Sequence, residues 1–82
     1  MTTMPPEYNI AHMKRRWETQ TKYYEANLCQ DLFGEWILMK YWGNKTSKLG
    51  GSQSTLVASL NDGLTLMETV KKRRNARGYF EV

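Results

Sequence analysis

Residues 22–43 read KYYEANLCQDLFGEWILMKYWG, and their pattern decides the fold. Over residues 22–30, Tyr24, Ala26 and Leu28 alternate with Tyr23, Glu25, Asn27 and Cys29, the period of two that a half-buried strand shows. The more apolar row, Tyr24, Ala26 and Leu28, is expected to face the core. Asp31-Leu32-Phe33-Gly34 supplies a hairpin connection, with Gly34 where positive φ is needed. Residues 35–42 are nearly all apolar and rich in β-formers, which predicts a strand covered on both faces. Gly43 is expected to end it.

Upstream, residues 14–19 read as a first strand carrying Trp17, and Thr19-Gln20-Thr21 as a polar turn. Residues 1–13 are expected to form a flexible tail, because Pro5-Pro6 breaks regular structure and Ile10 and Met13 stand isolated. Residues 14–82 then make one domain. Downstream, residues 44–54 are polar, basic and glycine-rich and read as an exposed loop. Residues 53–60 alternate again, with Leu56, Ala58 and Leu60 on one row and Thr55, Val57 and Ser59 on the other. The period then changes to 3.6: Leu60, Leu64, Met67 and Val70 fall on one stripe of a helix. Asn61 or Asp62 is expected to cap its start, cations suit its negative C-terminus, and Gly78 stands where a terminating glycine belongs. Residues 79–82 read as a closing strand. The predicted fold class is α+β: a small, mostly antiparallel sheet, β-β-β-β-α-β, with one helix packed on a face.

Length and composition narrow the function. A chain of 82 residues buries roughly 60–65% of its unfolded surface, enough for one small core. Three Trp and five Tyr are too many aromatics for a disordered chain. No run approaches the ~20 apolar residues that a membrane-spanning helix needs, and no apolar run follows the N-terminus as a secretory signal would. A cytoplasmic location is the expectation. Cys29 is the lone cysteine and His12 the lone histidine, so neither an internal disulfide nor a His/Cys metal cluster is expected. No poised base stands beside a nucleophile, and Gly50-Gly51-Ser52 is no P-loop. The expectation is therefore no enzyme, no cofactor, no metal and no small-molecule substrate.

Charge points to a partner class. Twelve Lys and Arg against eight Asp and Glu give +4, with a pI near 9.4, a balance that favours phosphate-rich partners. The cations cluster at Lys71, Lys72, Arg73, Arg74 and Arg77, at Lys14-Arg15-Arg16, and more sparsely at Lys40, Lys45 and Lys48. Trp42, at a strand end beside Gly43 and a cationic loop, can stack on a base or sugar, worth about 1–3 kcal/mol per stacked base. Lys45 and Lys48 can hold phosphate oxygens, as can Arg73 and Arg77 at the helix end. On the residues alone a second reading stays open, with Trp42 closing the end of the core and these cations as ordinary solvated charge. Trp17 and Trp36 read as packing residues, and Tyr23 and Tyr24 must point to opposite faces.

The 22–43 run resembles the WGR domain family, as do Leu49-Gly50-Gly51, the single helix and the ending Lys71-Lys72-Arg73-Arg74-Asn75-Ala76-Arg77-Gly78-Tyr79. The resemblance extends from Arg15 to about Phe80 and rests on the Tyr-Tyr strand, the Leu-Phe-Gly turn, the Trp-Gly pair and the Gly-Tyr close. WGR domains stand beside the catalytic domain of DNA-damage-activated poly(ADP-ribose) polymerases, where they bind DNA at strand breaks; short bacterial chains also consist of little else. The resemblance implies a small antiparallel sheet with one helix, and a role for Trp42 against the nucleic-acid backbone at a break. Polymerase activity does not carry over, because nothing here matches the catalytic domain. One position departs from the motif: Asn44 stands where the family has Arg, keeping hydrogen-bonding capacity but losing the charge and the planar fork of donors. Two functions follow as expectations. One is a non-catalytic DNA-binding module (DNA rather than RNA, ends or nicks) using Trp42, Gly43, Asn44, Lys45, Lys48, Arg73 and Arg77. The other is a protein-interaction adaptor using the Trp42-Gly43-Asn44 surface.

Overall fold

Alternation in residues 22–30 becomes strand β2 (Lys22–Gln30), flanked by β1 (Ile10–Glu18) and β3 (Trp36–Asn44) in a computed structural model that describes residues 10–82, with side chains from Met13 onward. β4 (Gly50–Val57), helix α1 (Leu60–Ala76) and the two-residue β5 (Phe80–Glu81) complete the chain. Every strand pair is antiparallel, and the sheet order is β4-β3-β2-β1-β5. The fold is α+β, a five-stranded antiparallel sheet with one helix packed on it.

Register builds the core. Leu28 lies opposite Leu38, Trp17 opposite Tyr24, and Tyr24 opposite Trp42, so these side chains share the face that α1 covers. Trp17, Ala26, Leu28 and Leu38 are fully buried there, and Met67 and Val70 come down on them from the helix. Gly63, in the first turns of the helix, sits so near β2 that a Cβ would lie 2.4 Å from Leu28 Cδ1. Trp36 is half-buried against this cluster, as a packing residue should be.

Local chemistry fixes the connections. In the 31–35 turn, Asp31 Oδ1 accepts from the N–H groups of Phe33 and Glu35, both at 2.9 Å, and Gly34 takes φ +82°. The helix ends in a Schellman arrangement: the Tyr79 N–H donates to Arg74 O at 3.0 Å, the Gly78 N–H donates to Asn75 O at 3.2 Å, and Gly78 takes φ +84°.

Several boundaries differ from the sequence reading. β1 begins at Ile10, so residues 10–13 of the expected tail are strand; residues 1–9 lie outside the described residues. The register of β1 against β2 slips between Ala11 and Met13, and such a bulge breaks the alternation that would have marked the strand. Gly43 does not end β3: it pairs with Tyr23 and Gly50, and Asn44 still pairs with Lys22. β3 is not covered on both faces. α1 lies on the Leu38 side, while Ile37, Met39 and Tyr41 line the opposite face, half-buried by their neighbours on the sheet. The expected 44–54 loop shrinks to residues 45–49, since Gly50 to Ser52 already pair with β3. β4 stops at Val57, three residues early, and Ser59 caps the helix in place of Asn61 or Asp62. Its extended backbone (φ −159°) lets Ser59 Oγ accept from the Asp62 N–H at 3.1 Å, and Asp62 then sits in the first turn, where the dipole favours a carboxylate. No helix among the described residues is long and apolar enough to cross a membrane.

Candidate nucleic-acid interface

Three connections meet at the end of the sheet away from Gly34. The 19–21 turn is closed by Thr19 Oγ1, which accepts from the N–H groups of Thr21 and Lys22 at 3.2 and 2.9 Å. The 45–49 loop is tied to that turn by the Lys45 N–H donating to Thr21 O at 2.8 Å. The helix C-terminus delivers Arg74, Arg77 and Tyr79 to the same place, where they line a depression with Thr19, Thr21 and Lys22.

Trp42 is the centre of this end. Its ring stacks on Tyr24, with centroids 6.0 Å apart and planes 15° apart. On its other flank lies Gly51 of β4, where a Cβ would stand 2.8 Å from Trp42 Cζ2; only glycine leaves the indole its place. Arg74 continues the row: its guanidinium lies 4.2 Å from the Tyr24 ring centroid and 5.2 Å from that of Tyr79. Arg74 Nε is buried without a hydrogen-bond partner, and stacking on the Tyr24 and Tyr79 rings holds this part of the side chain. Burial raises the Tyr24 hydroxyl pKa, and the charge of Arg74 partly opposes that shift. The result is a continuous aromatic and cationic surface. Depressions on either side of Trp42 are lined by Lys22, Asn44 and Tyr79 on one side and by Tyr24, Gln53 and Arg74 on the other.

Carboxylates sort the remaining cations. Glu81 takes Arg15 in a two-pronged contact at 2.7 and 2.6 Å, and Glu68 lies 3.5 Å from the same guanidinium. Arg16 meets Glu18 at 2.8 Å and Glu25 at 3.0 Å. The Arg15 hydrogen bonds hold the Glu81 carboxyl below the usual carboxylate range, and Lys45, then Arg16, do the same for Glu18. The Lys14-Arg15-Arg16 cluster is thus internally matched. Among the described residues no Asp or Glu lines any of the three depressions around Trp42 and Arg74.

Trp42, Gly43 and Asn44 line one depression together, and Arg77 lines the neighbouring one, which shares Lys22 and Tyr79 with it. Lys45 does not: its ammonium turns to Glu18 at 2.6 Å. Lys48 and Arg73 are exposed but line none of the three depressions. Sequence reasoning missed Lys22, Tyr79 and above all Arg74. A signal for Arg74 was present, since it follows Met67 and Val70 at helical spacing and so puts a cation on the buried stripe.

No family model, curated protein or solved structure matches the chain.

The geometry suits stacking and anion binding. Trp42 offers a half-buried ring, and Lys22, Arg74 and Arg77 offer charge against a helix C-terminus whose own dipole would repel an anion. Cys29 offers no nucleophile: it is 4% exposed, and burial, followed by the charge of Asp31, raises its thiol pKa. Among the described residues no three His, Cys, Asp or Glu side chains gather as a metal ion requires.

Proposed function

We propose that this chain is a non-catalytic nucleic-acid-binding module of the WGR type, cytoplasmic, acting on DNA rather than RNA and reading strand ends or nicks. One observation carries the reading: Trp42 stands beside Lys22 and Arg74 in depressions that no carboxylate among the described residues lines, and a neighbouring depression adds Arg77. A ring fixed at the end of a sheet stacks only on a base or sugar face that is open to it. Within an intact duplex each base face is covered by its neighbour, whereas a break uncovers one. The cations hold the flanking phosphates, and the amide of Asn44 supplies neutral hydrogen bonds where the motif would place a charge.

The test is fluorescence anisotropy on a blunt duplex, a nicked duplex, a closed hairpin and a single strand, each over a salt series. Tighter binding to the blunt and nicked forms than to the closed hairpin supports the proposal. Equal binding to all four, set by salt alone, removes it and favours the adaptor reading, in which a protein docks on the Trp42-Gly43-Asn44 surface.

A further inference from the structure

The two edges of the sheet are unlike. β5 is two residues long and sits beside the Arg15–Glu81 ion pair, a short and charged edge of the kind that resists pairing. β4 has none of these defences. Its register against β3 runs unbroken from Gly43↔Gly50 to Trp36↔Val57, without a bulge, and it contains no proline. Residues 49–61 hold no Asp, Glu, Lys, Arg or His, the longest such run in the chain. Gly50 to Ser54 are exposed, and Leu56 is 63% exposed on the side away from α1. Nothing among the described residues pairs with the outer side of β4, so alternate backbone N–H and C=O groups there face outward.

We propose that two copies of this chain pair antiparallel through their β4 edges, forming one continuous sheet. The distribution of charge makes β4 the edge on which two copies can meet. Each chain carries +4, and the basic clusters would repel one another wherever two copies met on them. Along β4 they meet without charge. Antiparallel pairing sets the Gly50 end of one β4 beside the Val57 end of the other, and neither end carries a charge. The two-fold axis stands normal to the sheet, so both helices lie on one face and the Ile37, Met39, Tyr41 and Leu56 rows join on the other. Such an interface is self-complementary and closes at two chains, because only the two-residue β5 edges remain free.

Sedimentation velocity of the full chain, nuclease-treated and in about 0.3 M salt to suppress bridging by nucleic acid, reads the assembly. The expected result is a concentration-dependent shift from 9.6 kDa to twice that mass, with Ser54→Lys weakening association at least tenfold while its circular dichroism stays native. Hydrogen exchange on the unaltered protein gives a second readout: β4 amides gain protection with concentration and β5 amides do not. A single-chain mass at every concentration overturns the proposal and leaves β4 to a strand from another protein. A dimer whose β4 exchange is independent of concentration overturns it as well.

Discussion

Trp42 and Gly51 face each other across β3 and β4, and the absence of a side chain at Gly51 is what lets the indole lie flat beside Tyr24. The Gly-Gly pair is therefore part of the site and not merely of a loop. Gly51→Val should keep the strand, since valine suits β structure, while forcing the indole off Tyr24. We expect a change in tryptophan fluorescence and a loss of binding to nicked DNA comparable to deleting the ring, with unfolding still cooperative. Unchanged affinity would separate Gly51 from the site.

Phosphate contacts should follow the carboxylate-free surface and not the total charge. Each phosphate contact contributes about 0.9 to the slope of log K against log salt. Lys22→Ala and Arg77→Ala should each lower the magnitude of that slope by about that amount, while Lys48→Ala, outside the three depressions, leaves it nearly unchanged. Equal effects from all three would mean that a diffuse field, not a site, holds the DNA.

Gly63 tests the packing of helix on sheet. Alanine there would gain about 1 kcal/mol in helix propensity, but its Cβ would lie 2.4 Å from Leu28 Cδ1, in a core where Leu28 has no exposed surface. Overpacking of this kind costs about 1–3 kcal/mol, so the penalty should exceed the gain. Gly63→Ala should be destabilised by about 1 kcal/mol net, read as a melting temperature lower by about 4–8 °C. A higher melting temperature would show that Leu28 can move aside.

Acid should loosen the sheet at its β1–β5 edge. Glu81 and Glu18 have folded pKa values depressed by Arg15 and by Lys45 with Arg16. A depressed carboxylate contributes stability that is fully present above its unfolded pKa, about 4.3, and is lost as pH falls through the lower folded value. The melting temperature should hold from neutral pH to about 5 and then decline. Glu81→Gln should melt slightly lower at neutral pH and decline less in acid. A variant whose acid profile overlays the native one would show that the Arg15 contact adds nothing.

Most of the fold was legible because two periods dominate the chain. The bounds of β2 follow from alternation alone, the helix stripe from Leu60 to Val70, and both positive-φ glycines, Gly34 and Gly78, from their places after polar turns and a helix end. What was not legible depended on partners distant in sequence. Glycines 43, 50 and 51 look like loop residues until the register pairs Gly43 with Gly50 and sets Gly51 against the Trp42 indole. Ser59 becomes the cap because β4 ends where the sheet does. The site was half legible. Trp42 and Asn44 stand out in the sequence as an aromatic at a strand end beside a cationic loop, but whether a cation is free depends on which carboxylate lies across the sheet. Lys45 is claimed by Glu18 from β1, while among the described residues no carboxylate pairs with Lys22 or Arg74.

Anisotropy of Trp42→Ala against a nicked duplex and a closed hairpin of the same sequence tests whether Trp42 reads a break in DNA. Trp42 lies outside the buried core cluster, so the variant should remain folded. The native chain should prefer the nick, and the variant should lose about 1–3 kcal/mol on the nick, roughly 5- to 150-fold, with little change on the hairpin. A folded Trp42→Ala protein that binds the nick as tightly as the native chain does would contradict it.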